Sequence, residues 1–210
     1  MAKVFGTGRT GPVRTQNADR DAERQQEDSD LRAEIERLTR ENRSLRIAVA
    51  ELERIVDRDT LTPLFNRRYF INELIKRKAL LARHKVQTAL LFVDVDDLKA
   101  INDAHGHAAG DFALIEIARR LADNVRSSDI VARIGGDEFA LLLDHVTEKS
   151  MQLKTEQLRI AITIDTADYN GVELQLSASI GGIMITPEES ESDLLARADR
   201  EMYQIKAARG

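Results

Sequence analysis

Apolar residues between positions 31 and 58 fall on a seven-residue repeat, with Ile35, Asn42, Val49 and Val56 at a and Leu31, Leu38, Leu45 and Leu52 at d. β-Branched residues at a with leucine at d favour two parallel helices, and a lone asparagine at a fixes register and partner number at some cost in stability. The pattern predicts a parallel dimeric coiled coil over 31–58, a homodimer contact, with Glu41 at g and Arg46 at the following e placed to pair across it. The alternative is a single amphipathic helix lying on the domain that follows, which would leave the chain monomeric. Residues 1–30 offer almost nothing to bury and are expected to be a disordered leader, or else a partner-binding segment.

Past the repeat the periodicity changes. Thr62 followed by Pro63 predicts a capped helix start, continuing through Phe70, Leu74 and Ile75 to about Arg83. Residues 88–95, Thr-Ala-Leu-Leu-Phe-Val-Asp-Val, are nearly all apolar, as a strand buried on both faces must be. A polar, glycine-punctuated connection over 98–111 leads to an amphipathic helix with Phe112, Ile115, Leu121 and Val125 among its apolar positions. Residues 131–143 read as a β-hairpin, because two apolar β-prone runs flank Gly135, Gly136, Asp137 and Glu138. A helix over 148–163, strand material within 172–186 and a last helix over 191–208 complete the pattern. Strands interleaved with helices predict an α/β domain over 59–210.

Composition narrows the function classes. In 210 residues the formal net charge is -5, which argues against broad attraction to nucleic acid or an anionic membrane. A basic-zipper reading of the coil fails for the same reason, since the stretch from Ala18 to Asp30 is acidic where phosphate contacts would need basic residues. With no cysteine there is no thiolate metal site or thiol nucleophile, and the chain suits a reducing compartment. No apolar run approaches the roughly 18 residues of a membrane span, and the first residues lack a signal sequence, so a cytoplasmic protein without membrane insertion is expected.

The chemistry concentrates at two strand ends. Paired Gly135 and Gly136 are expected to supply the positive φ of a tight turn and to let a ligand approach the backbone. Asp137 and Glu138 beside them, and Asp94 at the end of the buried strand, are carboxylates that call for a cation, hydrogen bonds or general-base work. His105 and His107 lie in a loop with no third nitrogen or sulfur ligand nearby, so packing or hydrogen bonding outweighs a metal role.

These residues resemble the GGDEF-domain diguanylate cyclases. The hairpin matches the family's motif letter for letter, and Asp59-x-Leu61-Thr62 with Asn66-Arg67-Arg68, Asp94-x-Asp96, Lys99-x-Ile101-Asn102-Asp103, Gly106-His107, Gly110-Asp111 and the helix through Ala198-Asp199, Met202-Tyr203 and Lys206 follow in the family's order. The resemblance implies a palm-like α+β fold, a central mostly antiparallel sheet surrounded by helices and here preceded by a long coiled-coil helix. It implies condensation of two GTP into cyclic di-GMP with loss of two pyrophosphates. Asp94, Asp137 and the carbonyl of Val95 would hold magnesium, with manganese as an alternative, and Glu138 would support the metal or deprotonate the attacking hydroxyl. Asn102 and Asp111 would read guanine, His107 would border the nucleotide, Gly135 and Gly136 would face it, and the amides of Asp97, Leu98 and Lys99 with the Lys99 and Lys206 side chains would receive phosphates. Arg126-Ser127-Ser128-Asp129 resembles the family's product-inhibition motif, with Asp129 six residues before Gly135. Pro63 stands where the family usually has glycine, Asp97 and Leu98 where aromatic residues are common, and the ending after Lys206 departs from the usual Gly-Arg-Asn, leaving Arg209 without an assigned role. The alternative function is a catalytically silent module that senses GTP or cyclic di-GMP.

Overall fold

The computed structural model describes residues 31–49 and 56–207, in two units that divide the chain into 1–54 and 55–210. In the first unit residues 31–49 form helix α1. Its predicted seam is bare in the single chain, Leu31, Ile35, Leu38, Leu45 and Val49 being 50–60% exposed. Ile35, Leu38 and Asn42 line one shallow groove, while Arg37 spends its charge within the helix on Glu34 and Glu41. Leu52 and the expected leader over 1–30 lie outside the described residues.

The second unit is built on a five-stranded sheet. Strands β1 (Phe65–Asn66), β2 (Thr88–Val95), β3 (Ile130–Arg133), β4 (Glu138–Asp144) and β7 (Ala178–Met184) run in the order β1-β3-β4-β2-β7. Only the two-residue contact of β1 with β3 is parallel. A separate antiparallel pair joins β5 (Ala167–Tyr169) to β6 (Val172–Leu174). Successive side chains on a strand point to opposite faces, and the unbroken apolar run of β2 is explained by a helical layer on each side. Leu91 and Val93 pack with Ile117 and Leu121 of helix α4 (His107–Asp123) and with Leu158 and Ile162 of α5 (Glu148–Thr163). Leu90 and Phe92 pack with Phe70 and Leu74 of α2 (Arg67–His84) and with Leu194, Ala198 and Met202 of α6 (Glu191–Ala207). This is the α+β arrangement, helices on both faces of a mostly antiparallel sheet, that the sequence led us to expect.

Three local expectations are corrected. Helix α2 starts at Arg67, not Pro63, because the Asn66 side chain takes the amide of Tyr69 as the N-cap. Thr62 instead gives both its amide and its hydroxyl to Asp59 Oδ1, each at 2.8 Å, tying down a non-helical turn. The supposed loop over 98–111 contains a two-turn helix, α3 (Leu98–His105), separated from α4 by Gly106 alone, whose φ of 85° turns the chain. On α4 the buried face is Ala109, Ala113, Leu114, Ile117, Ala118 and Leu121, so Ile115 points outward.

Candidate functional site

Register brings the acids together. Asp94 of β2 lies directly opposite Glu138 of β4 on one side and Ser179 of β7 on the other. Directly opposed residues share a face of the sheet, so two carboxylates stand side by side, an arrangement that repels unless a positive charge answers it. Lys206 of α6 supplies that charge by donating to Asp94 Oδ1, and its ammonium is also 3.9 Å from Asp96. Asp96, two positions beyond Asp94, receives the buried Ser179 hydroxyl at 2.9 Å. Lys206 reaches this place because α6 rides against the sheet backbone: a Cβ on Gly181 of β7 would lie 2.2 Å from the Met202 amide nitrogen. One helical turn after Met202, Lys206 arrives over the strand ends.

The charge balance shows in the ionisable groups. Burial pushes the Glu138 carboxyl above its ordinary value, helped by Asp137, Asp199 and Asp94, against a smaller opposing effect of Arg67. The bond to Asp94 holds the Lys206 ammonium above its ordinary range. Among the described residues no three acidic or imidazole side chains form a metal-holding cluster on their own. Asp94, which already holds a cationic ammonium and has Glu138 directly beside it, nevertheless fits a magnesium ion, which ordinarily takes one or two carboxylates and completes its shell with phosphate oxygens and water.

The turn over 134–137 is wider than a two-residue hairpin. Both the Ile134 and the Gly135 amides donate to the Glu138 carbonyl, at 2.9 and 3.3 Å, and neither Gly135 nor Gly136 has a positive φ. Gly135 serves a different purpose, since a Cβ there would fall 2.1 Å from Glu138 Oε2 and displace that carboxylate. At Gly136 the space beyond the backbone is open, so a ligand can approach. The Val95 amide donates to the Asp137 carbonyl at 3.1 Å and fixes the turn on the end of β2. Arg133 clamps it from the other side through the Gly136 carbonyl, at 2.6 Å, and reaches Asp59 Oδ1 at 3.3 Å. Burial alone would raise the Asp59 carboxyl, but the Thr62 amide and hydroxyl and the Arg133 guanidinium outweigh it and hold the group below the usual carboxylate value. Two motifs far apart in sequence are thus one hydrogen-bonded unit.

The corner between α3 and α4 forms a second cluster. Asp97 adopts φ 56° and opens α3, so the amides of Leu98 and Lys99 belong to its first turn, where no helical carbonyl precedes them. Lys99, His107 and Asp111 are exposed, and Asn102 is half-buried with its side-chain amide hydrogen-bonded to none of the described residues. His105 and His107 flank Gly106 and are both exposed.

Arg126 and Asp129 lie apart, in the turn between α4 and β3. Its ends close on each other, the Arg126 amide donating to Asp129 Oδ2 and the Asp129 amide to the Arg126 carbonyl, both at 3.0 Å. The Arg126 guanidinium is exposed and pairs with no described residue.

Several residues at the strand ends had no assigned role. Asp96 was legible from the strand period, because it shares a face with Asp94; Asp199 was legible from its seven-residue spacing to Lys206, two turns along one side of α6. Ser179 and Arg67, the latter donating to the Ile134 carbonyl at 3.2 Å, carry no such signal. A groove of about 670 Å³ between the C-terminal parts of α4 and α5 contains none of the predicted site residues.

A family model described as "Diguanylate cyclase, GGDEF domain" matches residues 56–210. Diguanylate cyclase TpbB of Pseudomonas aeruginosa is 36% identical over 197 residues, covering 90% of this chain and 44% of that protein. Diguanylate cyclase DosC of Escherichia coli is 37% identical over 153 residues, covering 72% of this chain and 33% of that one. The chain thus spans less than half the length of these curated relatives. Among solved structures, the coiled coil and GGDEF domain of DgcB from Caulobacter crescentus in complex with c-di-GMP superposes with a TM-score of 0.74 at 25% identity, over 85% of this chain and 95% of that one. The GGDEF domain of TpbB gives 0.66 at 36% identity, over 71% and 88% of the two chains.

Proposed function

The chain belongs to the GGDEF-domain diguanylate cyclase family, and from that premise we propose that it condenses two GTP molecules into cyclic di-GMP with release of two pyrophosphates. The observation that carries the reading is the pairing of Asp94 with Glu138 beneath the Gly135–Asp137 turn, with the Lys206 ammonium seated between acids where a cation belongs. Asp94, Asp137 and the Val95 carbonyl would hold magnesium or manganese, which when bound would neutralise charge on the phosphates and the departing pyrophosphate. Glu138, held above its ordinary value by burial and by its acidic neighbours, is a better proton acceptor for the attacking 3′-hydroxyl than a solvated carboxylate. Asp97, Leu98 and Lys99 present amides to the phosphates, and Lys206 exchanges its hold on Asp94 for one on the nucleotide. Asn102 and Asp111 read the guanine edge, one offering an amide and the other a carboxylate, and His107 borders the base.

One domain holds one GTP, so both halves of the product are present only when two domains face each other. The bare seam of α1 supports a parallel homodimer through residues 31–58, which raises the effective concentration of one domain for the other. Domain organisation follows: a leader over 1–30, the coil, and a catalytic domain over 59–210. Arg126 and Asp129 bind cyclic di-GMP as an inhibitor, a role supported by the exposed guanidinium, which has no partner among the described residues. Among the described residues no helix is long and apolar enough to cross a membrane.

Replacing Glu138 with Gln keeps the shape of the side chain and removes its basicity. Turnover of GTP should fall by about 10²–10⁴-fold while GTP affinity, measured by calorimetry, stays within a few-fold. A variant that turns over as fast as the parent would remove Glu138 from the chemistry.

A further inference from the structure

A glycine inside a helix weakens it relative to alanine, so Gly110, the fourth residue of α4, needs a local reason. Its backbone does not supply one, because the positive-φ glycines among the described residues are Gly106 and Gly171. Its neighbour does. A Cβ built on Gly110 would lie 2.1 Å from Oδ1, 2.8 Å from Cγ and 3.2 Å from Nδ2 of Asn102, so the whole side-chain amide occupies the place of the missing methyl group.

Asn102 is anchored at its backbone, where its carbonyl accepts the Gly106 amide at 2.8 Å, but no described residue hydrogen-bonds its side chain. Donors and acceptor alike remain open for a ligand. What holds the amide is packing against the bare backbone of Gly110, in the turn that also delivers Asp111. We infer that Gly110 is a specificity-positioning residue, whose missing side chain seats the Asn102 amide beside Asp111 and so sets how tightly guanine is told from purines lacking its exocyclic amine. The inference rests on the reading of Asn102 as a guanine contact.

The clash involves the far end of a flexible side chain. Alanine at 110 should therefore leave the fold intact and swing the amide away, which makes the effect one of recognition. The test uses the full chain as Gly110→Ala, Asn102→Ala and the double variant. The probes are guanosine diphosphate and inosine diphosphate with magnesium, the latter lacking the exocyclic amine. Calorimetry should find the preference for the guanosine nucleotide reduced about tenfold by Gly110→Ala, approaching that of Asn102→Ala, with no further loss in the double variant. Melting without nucleotide gives a second readout: alanine at 110 should raise the melting temperature in the Asn102→Ala background by more than in the parent, because the helix gain is then unopposed.

A Gly110→Ala protein that keeps the full preference while Asn102→Ala loses it would overturn the inference. If Asn102→Ala itself leaves the preference intact, the guanine reading falls and takes this role with it. In that case the melting cycle still reports on the steric seat separately, through additive or non-additive shifts.

Discussion

At the scale of single residues, the site is organised by what a side chain would displace as much as by what it contacts. Gly135 leaves room for the Glu138 carboxylate, Gly110 for the Asn102 amide and Gly181 for the backbone of α6. Of these only Gly135 was given a role from the sequence, and for another reason: adjacent glycines suggest positive φ, whereas the place of a missing Cβ taken by a neighbouring side chain or helix leaves no mark in the hydrophobic pattern. The acids were legible because carboxylates at the end of an apolar strand need a partner; the sequence suggested a metal ion there and assigned Lys206 to the phosphates, whereas in the structure Lys206 itself answers Asp94. Arg126 presents the opposite case, a charge left over. Its guanidinium is exposed and unpaired among the described residues, while the Asp129 carboxylate is partly engaged by a backbone amide. If the pair binds cyclic di-GMP, Arg126→Ala removes charge-assisted hydrogen bonds worth roughly 1.5–3 kcal/mol. The dissociation constant of the product, measured by calorimetry, should rise at least about tenfold, and an unchanged constant would refute the assignment.

Elements were legible where burial imposes a period. The strand over 88–95 and the helix over 148–163 emerged with the bounds they have in the structure, because one is covered on both faces and the other has a Thr147–Ser150 capping box at its start. Short elements were not. β1 has two residues and β5 three, too few for a period to exist, and α3 has eight residues of mixed polarity whose apolar members, Leu98 and Ile101, only touch the edge of the core. The start of α2 was misplaced because Thr62-Pro63 and Asn66 both look like caps, and the competing claim of Asp59 on Thr62 is a tertiary matter decided with Arg133. In α1 the proposed dimer seam can be tested at Asn42. Asn42→Leu should strengthen self-association while loosening its specificity, so that light scattering finds species larger than the dimer. A parent protein that scatters as a monomer at micromolar concentration would remove the coil from the account.

The whole molecule combines a domain that carries one set of acids, and one corner proposed to face the purine, with a helix whose apolar stripe is exposed in the single chain. The product proposed for it has two identical halves, so the domain alone provides half of what the reaction needs and the helix supplies the reason for a second copy. Such a design predicts that activity belongs to the pair. The most direct measurement incubates the full-length protein, freed of bound nucleotide, with GTP and magnesium over a range of protein concentrations, and follows the nucleotides by chromatography with mass detection. Cyclic di-GMP should appear with two pyrophosphates per molecule formed, at a rate per chain that falls on dilution below the dimer's dissociation constant. GTP that binds yet persists at every concentration would contradict the cyclase reading and leave the chain as a nucleotide-binding module.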